Sequence, residues 1–377
     1  MRILILNYEY PPLGGGASPA SHEVTKRYAR DGHDVLVVTM HLKGLPEEET
    51  MDGVNIVRLK SWRSKAHMCH PWEQARFLQV ARSFLKSHLK EKKYDLVHCH
   101  FVIPTGILAR WIKNKYQIPY VLTSHGSDIP GYNPDRFKAL HYLTPPTIRS
   151  IIAGADFIFP SSKYLGSMIE KVTGPLGEKL VVMPNGIEKD VYIPGTKEKI
   201  ILSTGRLLHR KGFQYLIEAV HDIDSGYQLY ICGDGPMMDE LKHMAEGSLT
   251  PVVFHGWISN KSDAYKELLS KASIFSLVSI ENSSVSLVEA MSAGCAMITS
   301  KTSGCAETVA DAGKLVEHGA VDGVKKALLE YFEDPELVRR NGQKARKRIE
   351  EVLDWEKVYK GYQVIWQIRE KSHSNSK

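Results

Sequence analysis

Residues 3–40 read ILILNYEYPPLGGGASPASHEVTKRYARDGHDVLVVTM. Ile3–Leu6 is a short apolar strand, Pro11-Pro12-Leu13-Gly14-Gly15-Gly16 a loop built on proline and glycine, and Ser18–Arg30 a helix-like run. Gly32 reads as the helix C-terminal cap. Asp34–Met40 follows as a mostly apolar strand, the pattern of a parallel sheet buried on both faces. Strand, glycine loop, helix and strand form the repeating unit of a doubly wound α/β layer. Further short apolar runs at Asp95–His98, Pro119–Ser124 and Asp156–Pro160, separated by helix-length segments, repeat it.

The pattern breaks around Met183-Pro184-Asn185-Gly186-Ile187 and restarts with Lys199–Thr204, Gln228–Cys232, Val252–His255, Ile274–Ser279, Met297–Ser300 and Lys314–Glu317. The predicted organisation is a first domain over 1–183, a linker over 184–198, a second α/β domain over 199–353, and a C-terminal helix and tail over 354–377 that can cross back to the first domain. Apolar residues at helical spacing between Pro335 and Glu370 predict terminal helices, with Ser372–Lys377 frayed. A length of 377 residues suits two domains of ~150–200 residues each. Such domains make an interdomain cleft, with ligands expected beyond the C-terminal ends of the strands.

An apolar content of 43% with 24% charged residues excludes a mostly disordered chain. Four consecutive apolar residues at the start are too few for a signal-peptide core, and no run is long enough to span a membrane. The five cysteines, odd in number and without a Cys-x-x-Cys pair, argue against a disulfide framework and a structural zinc site, so a reducing cytoplasm is expected. Charge is uneven. Residues 1–150 carry +8 and the remainder −2, and residues 58–93 alone hold ten basic side chains against Glu73 and Glu91. An anionic partner is expected there. Trp72–Lys93 reads as an amphipathic helix with Arg82, Lys86, Lys90 and Lys93 along one stripe. With Trp62, Trp72, Arg58, Lys60, Arg63 and Lys65 it suits an anionic membrane surface. The alternative is an apolar face packed on the sheet and a solvated basic face. No nucleic-acid reader motif accompanies the charge.

Three segments carry candidate chemistry. Gly205-Arg206-Leu207-Leu208-His209-Arg210-Lys211-Gly212 runs into a helix at Phe213–Val220, placing cations at a helix N-terminus. Arg206 and Lys211 there suit a pyrophosphate, although a solvated basic turn has the same composition. Glu281 ends a strand and Glu289 lies in the following helix; two carboxylates on one side of a cleft suit the hydroxyls of a sugar and a ribose, although a turn residue and an exposed helix position have the same spacing. Glu289 lies among Leu287, Val288, Ala290 and Met291, where an unpaired carboxylate is costly. In the first domain Ser124-His125-Gly126-Ser127-Asp128 follows a strand and sets His125 at its mouth, beside Asp128. His98-Cys99-His100 has the composition of a metal site, but in a strand Cys99 points away from its neighbours and leaves two ligands.

Taken in order, Gly14-Gly15-Gly16, His125-x-x-Asp128, Pro184-Asn185-Gly186-Ile187, Gly205-Arg206 with Lys211-Gly212, Gly233-Asp234-Gly235-Pro236 and Glu281-x7-Glu289-Ala290-Met291-x2-Gly294 resemble the retaining GT-B glycosyltransferases of family 4. The resemblance spans nearly the whole chain. It implies two Rossmann-like domains facing across a cleft, and transfer of a sugar from a nucleotide diphosphate sugar to an acceptor hydroxyl. By the same resemblance Arg206 and Lys211 bind the pyrophosphate, Glu289 the ribose, and Glu281 the transferred sugar, with His125 beside it. The glycine loop admits the phosphate or acceptor. Gly233, Asp234 and Gly235, with Trp257 and Ile258, surround the base. Where many members have Glu-Gly-Phe-Gly, this chain has Glu281-Asn282-Ser283-Ser284, followed by Val285, so serine hydroxyls and backbone amides stand in for the glycines. No metal or other cofactor is expected. The acceptor is read from the basic segment 58–93 rather than from the resemblance, and a cell-envelope glycan or lipid-linked sugar at the inner face of the membrane is expected. A nucleotide-sugar 2-epimerase of the same fold and a non-catalytic nucleotide-sugar-binding protein are the alternatives.

Overall fold

The computed structural model describes residues 1–132 and 144–366. The chain divides into two compact units, one comprising Met1–Met183 with Tyr359–Lys377 and the other Pro184–Val358.

The first unit holds a seven-stranded sheet. Its strands are β1 (Arg2–Leu6), β2 (Asp34–Met40), β3 (Glu48–Met51), β4 (Val54–Leu59), β5 (Leu96–His100), β6 (Tyr120–Ser124) and β7 (Ile158–Pro160), in the order β3-β4-β2-β1-β5-β6-β7. All neighbours pair in parallel except β3, which runs antiparallel to β4. The first helix spans Ala17–Arg30 and covers the sheet with Val24 and Tyr28.

Strands β3 and β4 correct the sequence reading, which took Arg58 and its neighbours as surface charge. Arg58 is 2% exposed, its guanidinium 2.5 Å from Glu49 and 3.0 Å from the Pro11 carbonyl. Arg63 is also buried, donating to the carbonyls of Lys65 and Ala66 at 3.0 and 2.9 Å, and Lys60 pairs with Glu47. These cations hold loops together, so the local excess of positive charge is partly internal. Helix Pro71–Glu91 buries Phe77, Ala81, Leu85 and Leu89 in the unit's core. Its apolar face is therefore spent on the sheet, while Arg82, Lys86 and Lys90 remain exposed.

The second unit contains β8 (Glu198–Thr204), β9 (Gln228–Cys232), β10 (Val252–Gly256), β11 (Ala272–Leu277), β12 (Ala296–Ser300) and β13 (Gly313–Val316), all parallel, in the order β10-β9-β8-β11-β12-β13. Residues 184–198, read above as linker, are bound into this unit, with Glu198 opening β8. Lys197 Nζ reaches the Ala293 carbonyl at 2.6 Å, and the Tyr192 hydroxyl donates to the Asn260 carbonyl at 2.9 Å. Ile187 donates to Leu353 O at 2.9 Å and accepts from Trp355 N at 3.1 Å, joining the start of the unit to its end. Helices Pro335–Arg348 and Trp355–Tyr362 form the tail, and Tyr359 donates to Asp31 at 2.7 Å within the first unit. The segment expected to fray lies outside the described residues. Among those described, no helix is long and apolar enough to cross a membrane.

Candidate functional site

In the second unit the chain leaves β8 for β9 and β10, then returns to β11 on the other side of β8. The loops after β8 and β11 therefore diverge at a topological switch point, where open parallel sheets take ligands. Neighbouring loops are laced backbone to backbone: Leu207 N donates to Asp234 O at 2.9 Å, Gly233 N to Gly256 O at 2.7 Å, and Ile280 N to Arg210 O at 3.1 Å. Two glycines make this approach possible. A Cβ on Gly233 would sit 1.9 Å from Gly205 O, and one on Gly212 (φ +79°) 2.4 Å from Val278 O. Gly235 abuts Leu207 in the same way, and its amide is taken by the Asp234 side chain at 2.7 Å.

Lys211, at the end of the 3-10 turn His209–Lys211, lies 2.5 Å from Glu281 Oε2, and Arg210 approaches Glu281 Oε1 at 3.8 Å. Burial alone would raise the Glu281 pKa. The ion pair and hydrogen bond with Lys211, helped by Arg210 and Ser284, outweigh it and hold the carboxyl below its ordinary value. Glu281 is thus ionised, and the Lys211 ammonium is already engaged. Arg206 is exposed, and its side chain makes no hydrogen bond or ion pair among the described residues. Helix Val285–Ser292 begins beside this cluster, and no side chain caps its first turn: Ser284, at the N-cap, shares its hydroxyl with Ser286 at 2.9 Å. Its amides and Arg206 are suited to an anion. Asn282 is buried and Ser283 half-buried in the same loop.

Glu289 is buried in that helix, 3% exposed. It accepts hydrogen bonds from Asn260 Nδ2 at 2.9 Å, Tyr192 OH at 3.2 Å and Tyr265 OH at 2.8 Å. Burial raises its pKa despite those three donors. Sequence reasoning missed all three partners, which come from 24 to 97 residues away. Their only signal was the cost of leaving Glu289 alone among apolar residues. Beyond β10, Trp257 is 74% exposed and Ile258 half-buried. Asn185, half-buried near the start of the unit, precedes Gly186, which packs against Trp355.

A separate cavity of about 580 Å³ opens at the other end of this sheet, beside Glu198 and Ser273. Of its cations, Lys197 donates to the Ala293 carbonyl and Arg346 to the carbonyls of Lys189 and Ser292.

The first unit has its own switch point, between β1 and β5. Gly14 (φ +95°) donates to Ala66 O at 2.8 Å, Gly15 has open space where a Cβ would stand, and Gly16 precedes helix Ala17–Arg30. His125 follows β6. Its Nε2 lies 3.1 Å from His100 Nδ1, the two rings stack at 5.4 Å, and Phe101 approaches at 4.8 Å. Burial pulls the His125 pKa down to about 4, so the ring is neutral at pH 7. Asp128 is buried, with its pKa raised, and accepts from Val102 N at 2.5 Å, Ser124 Oγ at 3.1 Å and Gly126 N at 3.2 Å. Its side chain shapes the loop that carries His125. His98 is held by Tyr28 OH at 3.2 Å and Thr123 Oγ1 at 2.8 Å, and Cys99 Sγ turns to Val121 O. Among the described residues no group of three or more His, Cys, Asp or Glu is arranged to hold a metal ion.

Residues 187–348 match the family model described as glycosyl transferases group 1, and residues 14–191 the model described as glycosyltransferase family 4. An uncharacterised glycosyltransferase of Methanocaldococcus jannaschii is 29% identical, over 74% of this chain and 75% of its own. The N-acetyl-alpha-D-glucosaminyl L-malate synthase of Bacillus anthracis is 26% identical over 95% and 94%. Among solved structures, sucrose-phosphate synthase of Thermosynechococcus elongatus superposes with a TM-score of 0.82 at 18% identity, covering 99% of this chain and 100% of that one. HepE of Anabaena, solved with UDP, gives 0.73 at 18% identity with the same coverage.

Proposed function

Because the chain belongs to the group 1 glycosyltransferases of family 4 and has the GT-B architecture, we propose that it transfers a sugar from a nucleotide diphosphate sugar to an acceptor hydroxyl, with retention and without a metal. The observation that carries this reading is the β8/β11 switch point. There a free guanidinium, a buried Lys211–Glu281 pair and an uncapped helix N-terminus lie on adjoining loops.

Arg206 and the first amides of helix Val285–Ser292 take the donor pyrophosphate, and Lys211 shares its charge between Glu281 and the phosphate. Glu281, kept ionised by that lysine, accepts hydroxyl protons of the transferred sugar. Glu289 takes ribose hydroxyls in place of one or more of its tyrosine donors. As the bond from the anomeric carbon to the phosphate oxygen breaks, the acceptor oxygen bonds to that carbon on the same face, and its proton passes to the leaving phosphate. The charge that grows on the phosphate is met by cations already in place, so the transition state is stabilised more than the ground state. His125, neutral at pH 7, contributes a hydrogen bond rather than a charge.

For the acceptor we propose a cell-envelope or lipid-linked glycan at the cytoplasmic face of a membrane. Exposed Trp62 and Trp72, with Arg82, Lys86 and Lys90, support this. One relative is named alpha-monoglucosyldiacylglycerol synthase.

The test is incubation with UDP-, GDP- and ADP-sugars, with and without a glycolipid acceptor, following nucleotide release and product anomer by NMR. Acceptor-dependent release with a retained anomer is expected. A donor converted to its 2-epimer identifies an epimerase, and binding without release a non-catalytic protein; either result overturns the proposal.

A further inference from the structure

His125 shares one hydrogen bond with a second imidazole, and that bond fixes where its proton lies. His100 is 1% exposed, and its Nδ1 stands 3.1 Å from His125 Nε2. The other nitrogen of His100, Nε2, is buried without a hydrogen-bond partner among the described residues. Burial keeps both rings neutral near pH 7, so one proton occupies the bond between them.

Two arrangements satisfy this. If His125 Nε2–H donates, His100 carries its own proton on Nε2 and buries an N–H with nothing to accept it. If His100 Nδ1–H donates, His100 Nε2 is left as a bare lone pair. Orphaned buried N–H groups are rarer in folded proteins than under-satisfied acceptors, so the second arrangement is favoured. His125 then holds its proton on Nδ1, which has no partner among the described residues but, unlike His100 Nε2, is not sealed from solvent, since the His125 ring is only half-buried.

We propose that His100 is a positioning residue that sets the tautomer of His125, so that His125 meets the substrate as an Nδ1–H donor. In that form His125 donates to a sugar or phosphate oxygen through Nδ1. Its Nε2 lone pair is occupied by His100, so it does not receive the acceptor's proton. The catalytic part of this statement rests on the proposed glycosyl transfer; the tautomer does not.

The experiment is long-range 1H–15N correlation NMR on the full chain at pH 7.5, with the His125 signals assigned by their loss in His125→Gln. The expected His125 pattern is a protonated Nδ1 and a bare Nε2. His100→Leu should invert it and lower kcat roughly 10–100-fold with little change in KM, the scale seen when an imidazole loses its orienting partner. His100→Asn, whose amide nitrogen replaces Nδ1, should restore both. A wild-type His125 protonated on Nε2 overturns the proposal whether or not any variant folds. The expected tautomers with unchanged turnover in His100→Leu would keep the tautomer assignment but overturn the role of His125 at the sugar.

Discussion

The Lys211 ammonium and the Glu281 carboxylate meet at 2.5 Å although 70 residues separate them, because β8 and β11 are neighbours in the sheet and each residue stands in the loop that follows its strand. Both side chains are nearly buried, so the loss of either one affects stability as well as the proposed donor site. Removing one partner strands the other in low dielectric.

Arg206→Ala, Lys211→Ala and Glu281→Ala should each lose at least ~100-fold in turnover, the scale for removing a preorganised charge from a transition state. Arg206→Ala should leave the denaturant midpoint unchanged, since its side chain is exposed and unpaired, while Lys211→Ala and Glu281→Ala should lower it. Parental turnover of the Arg206 and Lys211 variants at saturating donor would refute the phosphate assignment.

Glu289→Ala removes the acceptor on which Asn260, Tyr192 and Tyr265 converge, leaving Tyr192 the Asn260 carbonyl and Tyr265 the Thr204 hydroxyl. A loss of about 2–4 kcal/mol in unfolding free energy is expected, together with a fall in turnover of at least ~100-fold. Equilibrium urea unfolding of the parent and of this variant gives the first quantity, and unchanged midpoints would contradict the network.

Stability should fall as pH drops below about 6.5. Burial pushes the pKa of His98 to about 3 and of His125 to about 4, and holds His100 well below its ordinary value. The unfolded chain therefore binds protons that the folded chain refuses, at up to ~1.4 kcal/mol per pH unit for each histidine. The loss continues until pH reaches the folded values. Glu289, whose pKa burial raises, acts in the opposite direction: its contribution is present in acid and fades as pH rises through its folded value. Urea midpoints that stay level between pH 7 and 5 would be inconsistent with three imidazoles held neutral in the folded chain.

Activity should survive exhaustive chelation. The Asp-x-Asp at Asp222 and Asp224 follows helix Phe213–Val220, at the far end of the sheet from the switch point, and Asp222 is bound to His221 at 2.8 Å. Loss of turnover in chelator, restored by Mg²⁺ or Mn²⁺, would refute the metal-free proposal.

Binding to liposomes should rise with anionic lipid content and weaken with salt. Neutralising Arg82, Lys86 and Lys90 together should reduce co-sedimentation and turnover on a lipid acceptor. If neither changes, a soluble acceptor is the better reading.

The parts of the fold legible in the sequence are those written in consecutive residues. Asp34–Met40 and Phe213–Val220 have the predicted bounds because apolar runs and flanking glycines mark them locally. β4 was not legible, because Arg58 occupies one of its buried positions, and Glu49 on the adjoining strand and the distant Pro11 carbonyl make that burial tolerable. The site divides in the same way. Burial of Glu289 could be read from its neighbours, whereas its three donors, and the engagement of Lys211 by Glu281, depend on strand order that no local pattern encodes.

The hydrogen bonds that tie Ile187 to Leu353 and Trp355 also matter for how such a gene can change. A block whose first and last residues are stitched together enters and leaves its host at one place, so cuts near codons 183 and 359 would lift it out with its core whole. To recombination it is an insertion carried by the first unit, exchangeable as one piece. Inheritance can then vary one half of the enzyme without rewriting the other.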